Sequence, residues 1–589
     1  MIFRSVFSGK ARRFCRAELF FGVALSAAAP PARPLCHRGT ARKTRSKERR
    51  FFMNAKNSAQ KFRKVCMVAL LAAGMLLGVS GPASAIDFKV KGEWLVGFGV
   101  ADTGLTRHTR NPGFGQPSQK SNNNDVFGAA QRVRLQLDAV ASEALSGTVF
   151  FEIGDQNWGR DGGAAAGRSV GGALGADGVA VEVKNAYIDW IVPQTDLKFR
   201  MGLQGLALPN VAGGSAVLDA DVAAVVASYQ FNDNVGLTAF WARPINDNYR
   251  NGALASRNST DKDNFLDNID LFALALPLTF DGVEVTPWVM YGMIGKNAFG
   301  NLNTTDGDLS NTIFGTTAAY YNYPGANPTT AAVTSKHYGS LFWAGLPVAI
   351  TAFDPLNIEF DINYGYAEAM GRYDVVKRMD PTAVDRASTQ RQGWLAKALI
   401  EYKLDWGVPG IFGWYASGDD GNVKNGSERM PSIAGAGNFT SFVGDGNLAW
   451  GPGNGDYIDW NMSYAGTWGI GAQLRDMSFV EDLSHTFRIA YWGGTNSTSM
   501  VKYMRSASAW NDGIGADGPY LTTHDGLLEF NLVNAYQIYE NLEMNLELGY
   551  VVNMMDNDTW RKRGYTGGGN GSFSKQDAWK AQLVFAYSF

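Results

Sequence analysis

Residues 577–589 read DAWKAQLVFAYSF. The apolar and aromatic residues of this stretch occupy every second position, namely Trp579, Ala581, Leu583, Phe585, Tyr587 and Phe589. Lys580, Gln582 and Ser588 lie between them. Because successive side chains of a β-strand point to opposite faces, this alternation predicts a strand with one apolar and one polar face.

The same alternation returns along the chain from residue 86 onward. In residues 542–553, for example, Leu546 and Leu548 alternate with Asn545 and Glu547. The pattern predicts an all-β chain with eighteen strands, at about residues 86–100, 127–141, 147–156, 180–193, 197–204, 222–231, 235–243, 267–278, 283–294, 337–352, 357–367, 391–404, 410–417, 467–478, 485–493, 526–538, 542–553 and 577–589.

The connections between these strands alternate between short and long. The short ones are rich in Asp, Asn, Gly and Pro, as tight turns require, and centre on residues 143–146, 194–196, 232–234, 281–282, 354–355, 405–409, 481–484 and 540–541. A barrel in an outer membrane has short turns on the periplasmic side and long loops outside. The alternation therefore predicts a transmembrane antiparallel β-barrel of eighteen strands, or of sixteen if the weak hairpin 222–243 is miscounted.

The pattern of the first 85 residues indicates a leader that does not belong to the barrel. Residues 53–85 have a basic start, an apolar run and the small residues Ala83 and Ala85 of a cleavage site, as secretory signal peptides do. Residues 1–52 are rich in Arg, and we interpret them as upstream read-through or an extension of the leader. Residues 86–589 then form one barrel domain, which is exported, acidic and without cysteine, since Cys15, Cys36 and Cys66 all precede residue 86.

A water-soluble β-sandwich is the alternative to a membrane barrel. In water the charged rows would lie outside and the apolar rows would form a core. Aromatic residues cluster at the strand ends, however, as the interfacial girdle of a membrane barrel requires, among them Trp94, Trp190, Trp241, Trp394, Trp406, Trp460, Trp468 and Tyr587. We therefore favour the membrane barrel.

Four short segments carry a family resemblance, namely RVRLQL at 132–137, NAYIDW at 185–190, FRMGLQ at 199–204 and FAYSF at 585–589. They resemble the trimeric general porins of Gram-negative outer membranes, most closely those of sulfate-reducing bacteria. The resemblance implies a homotrimer in contact with outer-membrane lipid and lipopolysaccharide, and a terminal Phe589 that the barrel-assembly machinery reads. General porins usually have sixteen strands, so the count of eighteen leaves a solute-specific channel open.

In that family the third long loop folds into the barrel and narrows it. Here the third long connection runs from Gly205 to Asp221. By the alternation, a row of cations points into the lumen, and we expect it to face carboxylates of this loop across a pore constriction made of Arg132, Arg134, Lys198, Arg200, Asp219 and Asp221. Such a field filters solutes by charge. The alternative is that Arg132 and Arg200 pair with nearby acids, and cation or anion selectivity stays open.

Catalytic chemistry finds little support in the sequence. Residues 162–169 come close to a phosphate-binding loop, but Arg168 replaces its lysine and no βαβ pattern surrounds it. The histidines after residue 86 are scattered, at His108, His337, His485 and His524. Acidic loops near Asp306 and Asp419 lack the spacing of a calcium-binding loop. We expect no enzyme, no cofactor, no bound metal and no nucleic-acid partner.

These observations favour a passive, water-filled diffusion channel for small hydrophilic solutes in the cell outer membrane. The alternative is a channel specific for a sugar or an organic acid. A barrel enzyme or an adhesin is a third class, but an enzyme needs a site that the sequence does not assemble, and an adhesin would show ordered or repeated loops.

Overall fold

A computed structural model describes residues 86–102, 106–107, 109–110, 119–120, 125–159, 181–246, 268–295, 333–334, 336–377, 380–434, 439–440, 464–503, 520–562, 574–575 and 577–589. In these parts of the chain, no helix is both long enough and apolar enough to cross a membrane. The predicted leader and its cleavage residues Ala83 and Ala85 lie outside the described residues, so the domain boundaries stay a prediction.

Eighteen long strands of the described chain form one antiparallel sheet. In chain order, β1 to β18 are Asp87–Asp102, Asp125–Ser142, Leu145–Asn157, Val181–Ile191, Lys198–Ala207, Asp219–Asn232, Val235–Asn246, Asn268–Ala275 continued by Leu278–Phe280, Val283–Val285 continued by Trp288–Gly295, Tyr338–Phe353, Leu356–Ala367, Arg391–Tyr402, Val408–Ala416, Thr467–Val480, Leu483–Gly494, Gly526–Tyr539, Leu542–Asn553 and Ala578–Ser588. The prediction of eighteen strands is confirmed, and the hairpin that would have reduced the count to sixteen is present as β6 and β7.

The sheet closes on itself. Each strand pairs with its neighbour in the chain, and β1 pairs with both β2 and β18. At the seam the backbones of Gly92 and Phe589 exchange two hydrogen bonds, of 2.8 and 3.1 Å. Within the described chain, closure leaves no unpaired edge in this sheet, which is what a β-structure in lipid requires.

The connections alternate as predicted, with short turns at one end of the barrel and long connections at the other. The short-turn end includes the two-residue turns 143–144, 233–234 and 540–541. The shortest long connection is residues 208–218, between β5 and β6. We refer to the two ends as the short-turn end and the long-loop end.

The long connections contain short elements of their own. A hairpin pairs Gly371–Lys377 with Asp380–Ser388, and Val333–Thr334 joins its edge. Two-residue strands pair Thr106–Arg107 with Ser574–Lys575, and Thr109–Arg110 with Gln119–Lys120. A 3-10 helix spans Thr498–Tyr503, and a short α-helix spans Asn557–Lys562.

The outer face of the barrel is apolar. Phe272 on β8 is 47% exposed and Ile470 on β14 is 63% exposed, and each alternates with buried residues of its strand. The aromatic residues expected in a girdle are also exposed, namely Trp94, Trp190, Trp241, Trp394, Trp406, Trp468 and Tyr587. Trp460 lies outside the described residues.

The inner face differs from the sequence-based expectation, because part of its row is apolar. Trp343 on β10, Trp414 on β13 and Trp492 on β15 all belong to a buried hydrophobic cluster. Their strand neighbours Phe342 and Tyr415 are exposed on the outer face. Two connections that enter the barrel cover these inner aromatic residues, so one side of the barrel has a packed core and does not face open water.

Candidate functional site

The connection between β5 and β6 enters the barrel, and we call residues 208–218 the inserted segment. Its two ends meet where the backbone N–H of Leu208 donates a hydrogen bond of 3.0 Å to the carbonyl of Leu218. Gly213 and Gly214 at its tip have φ angles of 60° and 78°. This left-handed region is readily open to glycine, which allows the chain to reverse there.

Two charged residues of the opposite wall hold the inserted segment. Asp361 on β11 and Lys397 on β12 are partners in the strand register, and both side chains point inward. The backbone N–H of Ala212 donates to Asp361 at 2.8 Å, and that of Val211 donates to the same carboxylate at 3.3 Å. Lys397 donates to the carbonyls of Ala212 and Gly214 at 2.5 Å each. The segment therefore reaches across the lumen from β5 and β6.

Two aromatic side chains add further anchors. The indole Nε1 of Trp288, on β9, donates to the carbonyl of Pro209 at 3.0 Å. The hydroxyl of Tyr464 donates to the carbonyl of Gly213 at 2.7 Å. Side chains of β9, β11, β12 and the connection before β14 thus bind the inserted segment between Pro209 and Gly214, so its path inside the barrel is well determined.

The connection between β13 and β14 also enters the barrel, which the sequence did not predict. Trp343 on β10 donates from Nε1 to the carbonyl of Pro431 at 2.9 Å. Arg391 on β12 donates to the carbonyls of Arg429 and Met430 at 2.9 and 3.1 Å. The only sign in the sequence that this connection enters the barrel was the presence of apolar residues in a long polar stretch.

We call residues 429–434 the second inserted segment, and it packs along the first. The N–H of Ile433 donates to the carbonyl of Val217 at 2.9 Å, and the N–H of Asp219 donates to the carbonyl of Ala434 at 2.7 Å. The two inserted segments are therefore joined through their backbones.

Aromatic rings fill the space between the β13–β14 connection and the barrel wall. Trp414 and Trp492 lie with ring centroids 4.3 Å apart, and Phe412 stacks on Phe439 at 4.7 Å. Tyr464 lies 5.5 Å from Trp414. Together with the inserted segments, these rings narrow the lumen on the side of β8 to β15.

The four predicted cations lie on inward rows of β2 and β5. Arg132 pairs in register with the buried inner residue Leu95. Arg134 forms an ion pair of 2.7 Å with Glu152 on β3. Lys198 shares its row with Arg200 and is exposed near the short-turn end. These residues line the wall, and their part in a constriction stays a prediction.

Arg200 is paired within the wall. Its Nε and Nη2 donate to the two carboxylate oxygens of Asp189 on β4, at 2.7 and 2.9 Å. The guanidinium also lies 4.2 Å from the ring centroid of Tyr187. For Arg200, the alternative of pairing with a nearby acid therefore describes the structure. Arg134 is paired in the same way with Glu152.

The two predicted carboxylates lie elsewhere. β6 begins at Asp219, so Asp219 and Asp221 alternate with Ala220 and Val222, which pack against the interior cluster. They therefore occupy the outward row of β6, near the long-loop end. Asp221 forms an ion pair with Lys184 there. The expectation that they face the cations across the lumen is corrected.

A second polar network lines the wall on β12, β14 and β15. Arg475 donates to both carboxylate oxygens of Glu401, at 2.5 and 3.0 Å. Gln473 donates to Glu401 at 2.7 Å and accepts from Arg488 at 3.1 Å. The inner wall thus carries fixed charges of both signs, arranged in pairs, which can interact with a charged or dipolar solute.

Acidic residues cluster at the long-loop end, where the connection after β13 begins. Asp419 is buried and accepts hydrogen bonds of 2.5 Å from Ser427 and Tyr520. Its burial raises the pKa of its carboxyl. Burial, together with the charges of Asp419 and Asp420, raises the pKa of Glu428 to about 7. Glu428 therefore changes charge near neutral pH.

A metal-binding or catalytic grouping would require clustered side chains in the described residues. There, no three His, Cys, Asp or Glu side chains are close enough together to hold a metal ion. His524 lies 3.0 Å from Thr559, whose hydroxyl donates to Asp556. In this arrangement the threonine hydroxyl is directed to the carboxylate, so the histidine is not placed to accept its proton.

No family model and no curated protein sequence matches the chain. Similar solved structures include OpdQ and OccK8 (OprE) of Pseudomonas aeruginosa, each with 11% identity, covering 85% of this chain and 98% of the other, with TM-scores of 0.41 and 0.42. A BenF-like porin from Pseudomonas fluorescens Pf-5 has 9% identity, the same coverage and a TM-score of 0.43. The expected likeness to porins of sulfate-reducing bacteria finds no support here. At these identities and TM-scores we infer no function from the likeness, and the barrel fold rests on the strand pairing described above.

Proposed function

We propose that the chain forms an outer-membrane channel through which small hydrophilic solutes diffuse passively. One observation carries the proposal: a closed eighteen-strand barrel combines an exposed apolar outer row with charged pairs on its inner row. In lipid, every backbone polar group must be satisfied within the protein, which a closed barrel achieves. The outer row matches hydrocarbon, and the inner charges suit water and polar solutes.

The narrowing of the lumen favours the more specific form of this function. A general porin needs an open cross-section, whereas here the two inserted segments occupy part of the lumen, and the first reaches from β5 and β6 to Asp361 on β11 and Lys397 on β12. The remaining wall carries the ion pairs of Arg134 with Glu152, Arg200 with Asp189 and Arg475 with Glu401. We therefore propose a narrow channel with a preference for a class of small charged or dipolar solutes such as organic acids or sugars.

Planar bilayer recording of the purified protein tests the channel. We expect ohmic single-channel steps, and a salt gradient then gives the reversal potential and so the ion selectivity. A specific channel would show small steps that a millimolar organic acid or sugar reduces, while a general porin would show large steps that such solutes leave unchanged. Folded protein without any conductance would overturn the proposal.

Assembly belongs to the same proposal. We propose that the chain forms a homotrimer surrounded by lipopolysaccharide. We also propose that the barrel-assembly machinery recognises Phe589 of each chain during insertion. Steps that close in groups of three, together with the mass of the detergent-solubilised protein, would support the trimer. A mass equal to that of one chain and single closures would contradict it without affecting the channel.

A further inference from the structure

Two charged side chains of the barrel wall are unusually well buried. The side chains of Lys397 and Asp361 are 0% and 2% exposed, and their charged atoms lie 3.3 Å apart. They belong to the inner rows of adjacent strands, where an open lumen would leave them in water. The inserted segment covers them, so their environment depends on the position of that segment.

Burial of an ion pair is unfavourable unless further hydrogen bonds satisfy both charges. The inserted segment supplies these bonds. The N–H groups of Val211 and Ala212 point at Asp361, and the carbonyls of Ala212 and Gly214 point at Lys397. Backbone donors of the segment thus bind the carboxylate of Asp361, and backbone acceptors bind the ammonium of Lys397. The pair and the segment therefore stabilise each other.

We propose that Asp361 and Lys397 form a latch that holds the tip of the inserted segment across the lumen and so sets the cross-section of the pore. The inference rests on the proposed channel function. Both residues act through the inserted segment and are positioning residues, since their charged atoms are engaged with its backbone.

The latch controls the tip and leaves the base in place. The base is held independently, by the hydrogen bond between Leu208 and Leu218 and by the bond from Ile433 to Val217. At the tip, the hydroxyl of Tyr464 donates one hydrogen bond to the carbonyl of Gly213. Without Lys397, the tip would keep this single neutral bond and the hydrogen bonds from Val211 and Ala212 to Asp361. Loss of the latch should therefore release residues 211–216 and keep the barrel intact.

Conductance of K397M and of the double variant K397M/D361N tests the latch. The double variant removes both charges, so no uncompensated charge stays buried. We expect an increase of about twofold in single-channel conductance and more frequent fluctuations, as for a widened constriction. The control is K403M, which removes an exposed lysine just beyond the end of the same strand. Heat-modifiable migration in gels shows that each variant has folded.

A second measurement does not depend on conductance. Ser215 is 3% exposed in the inserted segment, so S215C should react slowly with a membrane-impermeant maleimide. The full chain carries Cys15, Cys36 and Cys66, which are changed to serine for this experiment. We expect labelling of S215C to become about tenfold faster when K397M/D361N is added, because local opening exposes the thiol, and to stay unchanged with K403M.

The two measurements separate failure of the latch from failure of the channel. If the wild type does not conduct but the latch variants still accelerate labelling, the channel function is wrong and the latch stands. If folded K397M/D361N shows both wild-type conductance and wild-type labelling, the latch is wrong whatever the channel conducts.

Discussion

The ring of Phe589 covers Gly92, while the two backbones exchange hydrogen bonds of 2.8 and 3.1 Å. An aromatic ring over a glycine of the neighbouring strand protects a part of the sheet that has no side chain of its own. Here the contact lies at the seam between β18 and β1. Closure of the barrel thus depends on a glycine at the one position where the terminal ring needs room.

Gly92→Ala should weaken this closure. The new Cβ would lie 2.8 Å from the carbonyl oxygen of Arg134 and from Cε2 of Phe589, which is too close without a shift of the ring or the strand. We expect a loss of about 1–3 kcal/mol, as for other overpacked sites. The temperature at which folded barrel disappears in a heat-modifiability gel measures it. Gly154→Ala is the control, since its Cβ would meet no atom within 4 Å, and an equal effect of both changes would contradict the role of the seam.

Arg200→Ala should shift the ion selectivity toward cations. Arg200 is bound to Asp189 through two hydrogen bonds, so its loss leaves a negative charge on the inner wall. Asp189→Asn should shift the reversal potential in the opposite direction. In the double variant R200A/D189N the net charge of the wall is restored, and we expect a reversal potential close to that of the wild type. A double variant as far from the wild type as R200A would show that the two residues act separately.

Asp219→Asn and Asp221→Asn should leave the reversal potential unchanged. Both carboxylates lie on the outward row of β6, and Asp221 is engaged with Lys184 and with Asn185. The loss of the exposed ion pair should cost only about 0–1 kcal/mol of stability. A shift in selectivity as large as that of R200A would place these residues in the conducting path after all, as the sequence had suggested.

The strands could be predicted from the sequence because their signal is local. Alternation in β17 and β18 depends only on residues within a few positions, and burial on one face preserves it. Asp219 and Asp221 were misplaced because β6 begins three residues earlier than predicted. That difference moved both residues from a connection into a strand, where the alternation of faces turned them outward.

The arrangement inside the barrel could not be predicted in the same way. Lys397 lies on the inner face of β12, but its partners Ala212 and Gly214 come from a segment far away in the sequence. The bond between Ile433 and Val217 is equally distant. Such contacts depend on how two long connections fold back, and single-sequence periodicity contains no information on that. The same distant contacts explain why inner residues such as Trp343 are apolar, because the inserted segments cover them.

The connection after β13 should loosen as the pH rises through neutrality. The ordinary pKa of Glu428 is 4.5, and in the folded connection it is about 7. Because the folded state holds the proton more tightly, the unfolded connection loses it first, and stability falls as the pH rises from 4.5 to about 7. Ionised Glu428 also repels Asp419 and Asp420, the other acids of this cluster.

Tryptic cleavage after the exposed Lys424 measures this change in the same connection. We expect cleavage of the wild type to become faster between pH 5 and 7. The rates for E428Q report the pH dependence of trypsin itself, and the increase for the wild type should exceed it. E428Q cannot ionise, and its amide can still accept from the N–H of Asp420, which donates to Glu428 at 3.0 Å. The ratio of the two rates should therefore rise with pH, and a constant ratio would mean that Glu428 does not control the opening of this connection.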